Sequence, residues 1–435
     1  MDQSTRDGHI ELRYGAGALT VLPPPGAEVA VARPAPWPDP RPAEEVVATA
    51  LAAPISSPLL RELVRPRQRV VIVVSDHTRQ TGAAVVLPRL LRELEHGGVA
   101  ATDVCVLIAV GTHRSPTPAE IAALLGPELA GRLEVAVHDC SDEANLVPIG
   151  RTSFGTEVLV NRLAAEADHV VLTGGILPHY FAGMGGGRKS VLPGIAAWRS
   201  IEQNHLRALD PRPGHGANPE VAAGKLDGNP VSQDMEEAAE LLRPSFLLNT
   251  ALDQHGHICA AWAGHPREAF RRGAAEVLAR SIVDLRWQAD VVLASAGGQP
   301  RDDSYFQAHK ALEHASYAVK PGGTAILVAA CAEGVGPESF ARWLALGGSA
   351  TIEPKLRAHF ELFGRTALAS WTKAERLWVL LVSDLSAEQT AALGMAKAAS
   401  AQEALAMALD RTGATPRLCI LPESEKSLPR LATES

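Results

Sequence analysis

Arg69-Val70-Val71-Ile72-Val73-Val74-Ser75-Asp76-His77-Thr78-Arg79 is an apolar run of strand length that breaks abruptly into polar and charged residues. A strand apolar at every position is buried on both faces, the habit of parallel sheets covered by helices on either side. The unit recurs. A helical pattern from about 83 to 96 closes on Gly97-Gly98, and Val104-Cys105-Val106-Leu107-Ile108-Ala109-Val110 then ends in Gly111-Thr112-His113-Arg114. Leu133 to Val137 gives a third run and Val170 to Thr173 a fourth. Residues 246 to 266 read as a strand pair, and a helix from about 265 to 284 leads to a second series of apolar runs at 289–294, 324–329, 378–382 and 418–421. This rhythm predicts an α/β protein of two domains, each built on a mainly parallel sheet covered by helices, with the active site in the cleft between them. The expected boundaries are 1–275 and 285–422, followed by a charged tail at 423–435.

Upstream of the first run, residues 8 to 23 alternate as a hairpin does, and prolines from Pro23 to Pro42 mark an extended arm. Regular structure is expected to resume with a helix at about 43 to 53.

The chain has 435 residues, with 46% hydrophobic and 21% charged, and a net charge of −8 without a basic block, which argues against nucleic acid or an anionic membrane as partner. No stretch of 18 apolar residues occurs, and the first residues lack the basic and apolar regions of a signal peptide. Five cysteines, scattered and never in a C-x-x-C pair, fit reduced thiols in a cytoplasmic protein.

Chemistry is expected where buried strands end. In a parallel sheet the carboxyl ends share one edge, so Asp76-His77-Thr78-Arg79, Thr112-His113-Arg114 and the loop from His179 should converge. That loop runs His179-Tyr180-Phe181-Ala182-Gly183-Met184-Gly185-Gly186-Gly187-Arg188-Lys189-Ser190, and a helical pattern carries it on to His205. It is not a P-loop, because Arg188 stands where that motif has glycine. Its glycines still let backbone approach a ligand, and N–H groups leading into a helix favour an anion. His179 and His205 are open to reading as metal ligands, as acid and base, or as core histidines. In the second half, Asp303 or Ser304 is expected to cap a helix holding Gln307 and Lys310 on one face, suited to a carboxylate.

Taken in order, Asp76 to Arg79, Gly111 to Arg114, His179 to Lys189, His205, and Gly297-Gly298 with Gln307 and Lys310 resemble the nickel-dependent lactate racemase family, over nearly the whole chain. The resemblance implies two α/β domains around a nickel-pincer nucleotide, a pyridinium mononucleotide whose sulfur-bearing arms hold nickel. It implies covalent attachment through Lys189, with Asp76, Gly185, Gly186, Gly187, Arg188 and Ser190 about the cofactor. His205 is implied as nickel ligand, and His113 and His179 as the acid/base pair. Arg79, Gln307, Lys310 and Trp371 are implied around the substrate, and Asp76 at the cofactor's ribose. The implied reaction racemises or epimerises a 2-hydroxy acid by reversible hydride transfer through a 2-keto acid, with cofactor-synthesis enzymes as suppliers. Hydride transfer avoids a carbanion beside a carboxylate, and histidine, with a pKa near working pH, can take or return the hydroxyl proton. Tyr180, Phe181, Met184 and Trp371 are candidates for the pocket around the substrate's side chain. Two other classes compete: a protein that binds the cofactor without turnover, against which both histidines speak, and a zinc-dependent hydrolase using His113, His179 and His205, which lacks a carboxylate or cysteine at ligand spacing.

Overall fold

The computed structural model describes residues 8–37, 41–126, 129, 131–253, 255–413 and 415–432. Pro38 and Pro40 of the expected arm, the first seven residues and the last three residues of the expected tail lie outside them.

Two six-stranded sheets form the protein. In the first, the order is Ile258–Gly264, Phe246–Leu252, His169–Gly175, Val70–Ser75, Val104–Ala109 and Glu134–Val137. All neighbours are parallel except the first pair, which is antiparallel. The uninterrupted apolar runs are explained by burial on both faces. Val71, Val73, Cys105, Leu107, Val170 and Leu172 enter one core cluster, while Val70, Ile72, Val74, Val104, Val106 and Ile108 enter another. Each such side chain removed from water contributes roughly 1.5–3 kcal/mol against the conformational entropy of ordering the chain.

The second sheet is parallel throughout, in the order Ala396–Ala398, Trp378–Val382, Val319–Val328, Ala289–Ser295, Arg417–Leu421 and Glu28–Val31. The same alternation holds: Val292, Ala294, Leu327 and Leu381 face one cluster, and Val291, Leu293, Val328 and Val382 the other.

Two expectations about the chain's organisation are corrected here. Residues at the start do not join the first sheet. Glu28–Val31 is an edge strand of the second, and the hairpin Ile10–Tyr14/Gly17–Val21 lays Ile10, Leu12 and Val21 on the second sheet's face. The strand was hidden among prolines and mostly exposed, as an edge strand is, so it carries no apolar run. The segment after Pro422 is structure, not a charged tail: Leu428–Leu431 pairs in parallel with Ile282–Leu285, and Ser424 Oγ donates to Ala311 O at 2.8 Å.

Expected helices form at Ala43–Ala52, Ala83–His96 and Pro266–Ser281. Residues 146–161 add a hairpin that the sequence reading did not anticipate. No helix among the described residues is long and apolar enough to cross a membrane.

Candidate active site

A cavity of about 860 Å³ gathers the carboxyl ends of strands from both sheets. The first sheet contributes the residues after Ser75, Ala109 and Gly175, and the second contributes Pro300 to Lys310 and Glu423 to Lys426. The placement follows from topology. Strands flanking Val70–Ser75 continue the chain in opposite directions across the sheet, as do those flanking Ala289–Ser295, and a crevice opens at each such switch point.

His113 stands on a turn that Gly111 enters at φ +56°. Its Nδ1 lies 2.6 Å from Asp76 Oδ2, so the ring donates there and leaves Nε2 for other work. Thr78 donates backbone and side chain to Asp76 Oδ1, at 3.0 and 2.7 Å. Burial raises the Asp76 pKa, but His113 and Arg79 outweigh it, and the carboxyl is held well below its usual range. Burial pulls His113 down while Asp76 pulls it back up.

His179 sits on a short hairpin with Gly183. Gly183 is at φ +74°, and a Cβ there would lie 2.0 Å from Lys225 O, so the turn requires glycine. His179 Nδ1 accepts from the backbone N–H of Ala182 at 3.3 Å, which puts the ring proton on Nε2. That nitrogen is 2.8 Å from Lys189 Nζ. Burial and then neighbouring cations, Lys189 and Lys310 for the histidine and Arg79 and Arg188 for the lysine, drive both far below their ordinary pKa values. A neutral amine accepting from Nε2–H satisfies both groups, and a neutral lysine is a nucleophile.

His205 ends the helix Trp198–His205, its ring 4.7 Å from that of Phe181. Its Nδ1 is buried without a hydrogen-bond partner among the described residues, and burial, with Lys189 next, pushes its pKa down to about 3. Behind the helix, fully buried Asp234 accepts from Thr152 Oγ1 (2.6 Å), Thr156 Oγ1 (2.7 Å), Asn204 Nδ2 (2.9 Å) and Arg207 Nε (3.0 Å).

Opposite, Arg79 reaches Gln307 Oε1 at 3.5 Å, and Lys310 donates to the same oxygen at 2.5 Å. Burial, then Arg79, lowers Lys310 to about 7. Ser304 is the helix N-cap, but no side-chain cap bond forms, contrary to expectation.

Asp76, Arg79, His113, His179, Gly185, Gly186, Lys189, Ser190, His205, Gln307 and Lys310 thus all line one cavity. Others expected there do not. Arg188 turns into the core, donating to Ala182 O (2.6 Å), Ser232 Oγ (2.9 Å) and Met184 O (3.2 Å), with its guanidinium over Phe270. It therefore braces the loop from behind. Gly187 faces the same way, at φ +54° with Phe270 in the space a Cβ would take. Met184 is buried behind the loop. Trp371 does not line the cavity: its indole donates to Leu344 O at 3.0 Å, and its ring covers Gly394. Both oxygens of Asp76 are engaged, one by His113 and the other by Thr78, so the carboxylate orients an imidazole. Ser190 lines the cavity, but its hydroxyl is spent on Thr173 O at 2.7 Å.

Arg365, His309, Glu425 and Lys426 line the cavity without having been singled out. None belongs to a local motif; only Lys426 and Glu425 carried a signal, charges directly after an apolar strand. No group of three or more His, Cys, Asp or Glu among the described residues stands ready to hold a metal by itself.

Residues 14–216 match the family model described as the lactate racemase N-terminal domain, and residues 285–425 that of the lactate racemase C-terminal domain. The lactate racemase of Thermoanaerobacterium thermosaccharolyticum is 38% identical over 300 residues, covering 69% of this chain and 68% of that protein. That of Lactiplantibacillus plantarum is 36% identical over 298 residues, covering 68% of each. The structure of the T. thermosaccharolyticum lactate racemase apoprotein superposes with a TM-score of 0.87 at 31% identity, over 97% of this chain and 100% of that one. A Thermotoga maritima protein at 19% identity shares the fold, with a TM-score of 0.68 over 91% of this chain and 100% of its own.

Proposed function

Because this chain belongs to the lactate racemase family, we propose that its cavity interconverts the enantiomers of a small 2-hydroxy acid through a 2-keto acid. The observation that carries this reading is the pair of histidines in one cavity, His113 oriented by Asp76 and His179 by backbone, with a cationic group at Arg79 and Lys310.

The residues present fit the nickel-pincer nucleotide that the resemblance implies. Burial and the surrounding cations disfavour the charged form of Lys189 beside His179, which favours the amine that covalent attachment needs, and the buried Nδ1 of His205 lacks a hydrogen-bond partner among the described residues. His205 would hold the metal and Lys189 the organic part. When bound, the cofactor supplies a hydride acceptor and donor. Arg79 and Lys310 bind the substrate carboxylate by charge-assisted hydrogen bonds, and Gln307 fixes its orientation. His113 Nε2 takes the hydroxyl proton of one enantiomer, and His179 serves the other. Tyr180 and Phe181, buried against His179, exclude water from the planar keto acid.

The test uses protein produced alongside the cofactor-synthesis enzymes, supplied with single enantiomers of lactate and other 2-hydroxy acids and followed by chiral chromatography. Interconversion, one nickel and a mass increment on Lys189 are expected. Nickel and adduct without turnover on any acid would leave a cofactor-binding protein, and zinc without adduct would overturn both readings.

A further inference from the structure

Arg365 opens into the same cavity from the first turn of the helix Leu362–Arg376 and is 6% exposed. Its guanidinium lies 4.6 Å from the Tyr180 ring centre and 4.7 Å from that of Phe181. One terminal nitrogen is buried with no hydrogen-bond partner among the described residues. The carboxylate in its surroundings, Glu313, is already ion-paired to Lys373. Aromatic faces favour the cation but offer no acceptor for its N–H groups, and a buried charge left without one is costly. Arg79, and Lys310 when it is protonated, add positive charge to the same cavity. Among the described residues no carboxylate forms an ion pair with Arg365.

The substrate's own carboxylate does not fill that need, since Arg79, Lys310 and Gln307 form a separate group for it. The rings that carry Arg365 also pack against His179 and His205, which puts it beside the reacting end of the cavity. We propose that Arg365 determines specificity, binding a second acidic group on the substrate, so that this chain prefers 2-hydroxy diacids to plain aliphatic 2-hydroxy acids. The inference rests on the racemase reading above. A guanidinium meeting a carboxylate makes paired, directional bonds that lactate cannot supply, and a polar site left unfilled discriminates strongly.

The test compares cofactor-loaded wild type with Arg365→Gln and Arg365→Lys on 2-hydroxysuccinate and on lactate. Wild type should favour the diacid, and the Gln variant should lower the ratio of the two kcat/KM values on the order of 100-fold, with partial recovery in the Lys variant. Equal losses on both acids, or a wild-type preference for lactate, would overturn the proposal. Calorimetric titration of 2-hydroxysuccinate into cofactor-free protein decides independently of turnover. Weaker binding by the Gln variant is expected, and equal binding overturns the proposal even if nothing is racemised; failure of turnover alone counts against the racemase reading. Nickel and the Lys189 adduct should be retained in Arg365→Gln. Their loss with unchanged diacid binding would assign the guanidinium to the cofactor's phosphate instead.

Discussion

Asp76 Oδ2 and His113 Nδ1 stand 2.6 Å apart, joining the ends of two adjacent parallel strands across the cavity floor. The carboxylate fixes the tautomer and supports the imidazole's basicity. Asp76→Asn should lower kcat/KM roughly 100-fold, the scale of a general base. Because Asp76 raises the His113 pKa, its removal should also move the acidic limb of the pH profile to lower pH. An acidic limb that stays in place would mean Asp76 only supports the fold. Enantiomers are equal in energy, so kcat/KM must fall equally in both directions, and any asymmetry must appear in kcat and KM separately.

Lys189 is expected to lose its proton at lower pH than a surface lysine in the cofactor-free protein, since burial and the cations around it penalise the ammonium form. An amine-reactive acylating reagent at pH 7 should therefore modify Lys189 ahead of surface lysines, read by peptide mass mapping. Labelling confined to the alkaline range of an ordinary lysine would remove the argument for a nucleophilic amine.

Lys310, lowered to about 7, is cationic below that pH and neutral above it. Carboxylate affinity should weaken as pH rises through 7, giving kcat/KM an alkaline limb. Lys310→Arg, whose guanidinium stays charged throughout, should shift that limb upward by several pH units. A limb unmoved by the arginine belongs to another group.

Asp234→Ala removes the acceptor that Thr152, Thr156, Asn204 and Arg207 share and leaves Arg207 uncompensated. Loss of about 3–5 kcal/mol in urea unfolding is expected, with weakened nickel retention because His205 follows Asn204. Unfolding free energy within 1 kcal/mol of wild type, on the scale of a surface change, would show that the network holds nothing in place.

Much of the site was legible because strand ends are legible. An apolar run that stops at Asp76, Ala109 or Gly175 announces both a parallel strand and the edge where its polar successors gather. What escaped reading depended on direction or distance. Arg188 and Lys189 are neighbours in sequence, yet one braces the core behind the loop and the other enters the cavity, a choice made by Phe270 and Ser232 far along the chain. Trp371 and Arg365 share a helix, and only the packing of that helix on Leu344 and Gly394 decides which of them faces the ligand. Glu28–Val31 was obscured because an exposed edge strand has no apolar pattern to betray it.

That edge strand also sets an order of events. Glu28–Val31 hydrogen-bonds to Arg417–Leu421, so the second sheet joins a segment synthesised before the first sheet to one synthesised after it. Its hairpin, Ile10 to Val21, has its apolar face uncovered until strands of the later half arrive to receive it. Glu423 to Lys426, which complete the cavity wall, follow later still. Lys189, made before those wall residues, is thus exposed before its enclosure exists, and attachment of any cofactor to a finished pocket is a post-translational event.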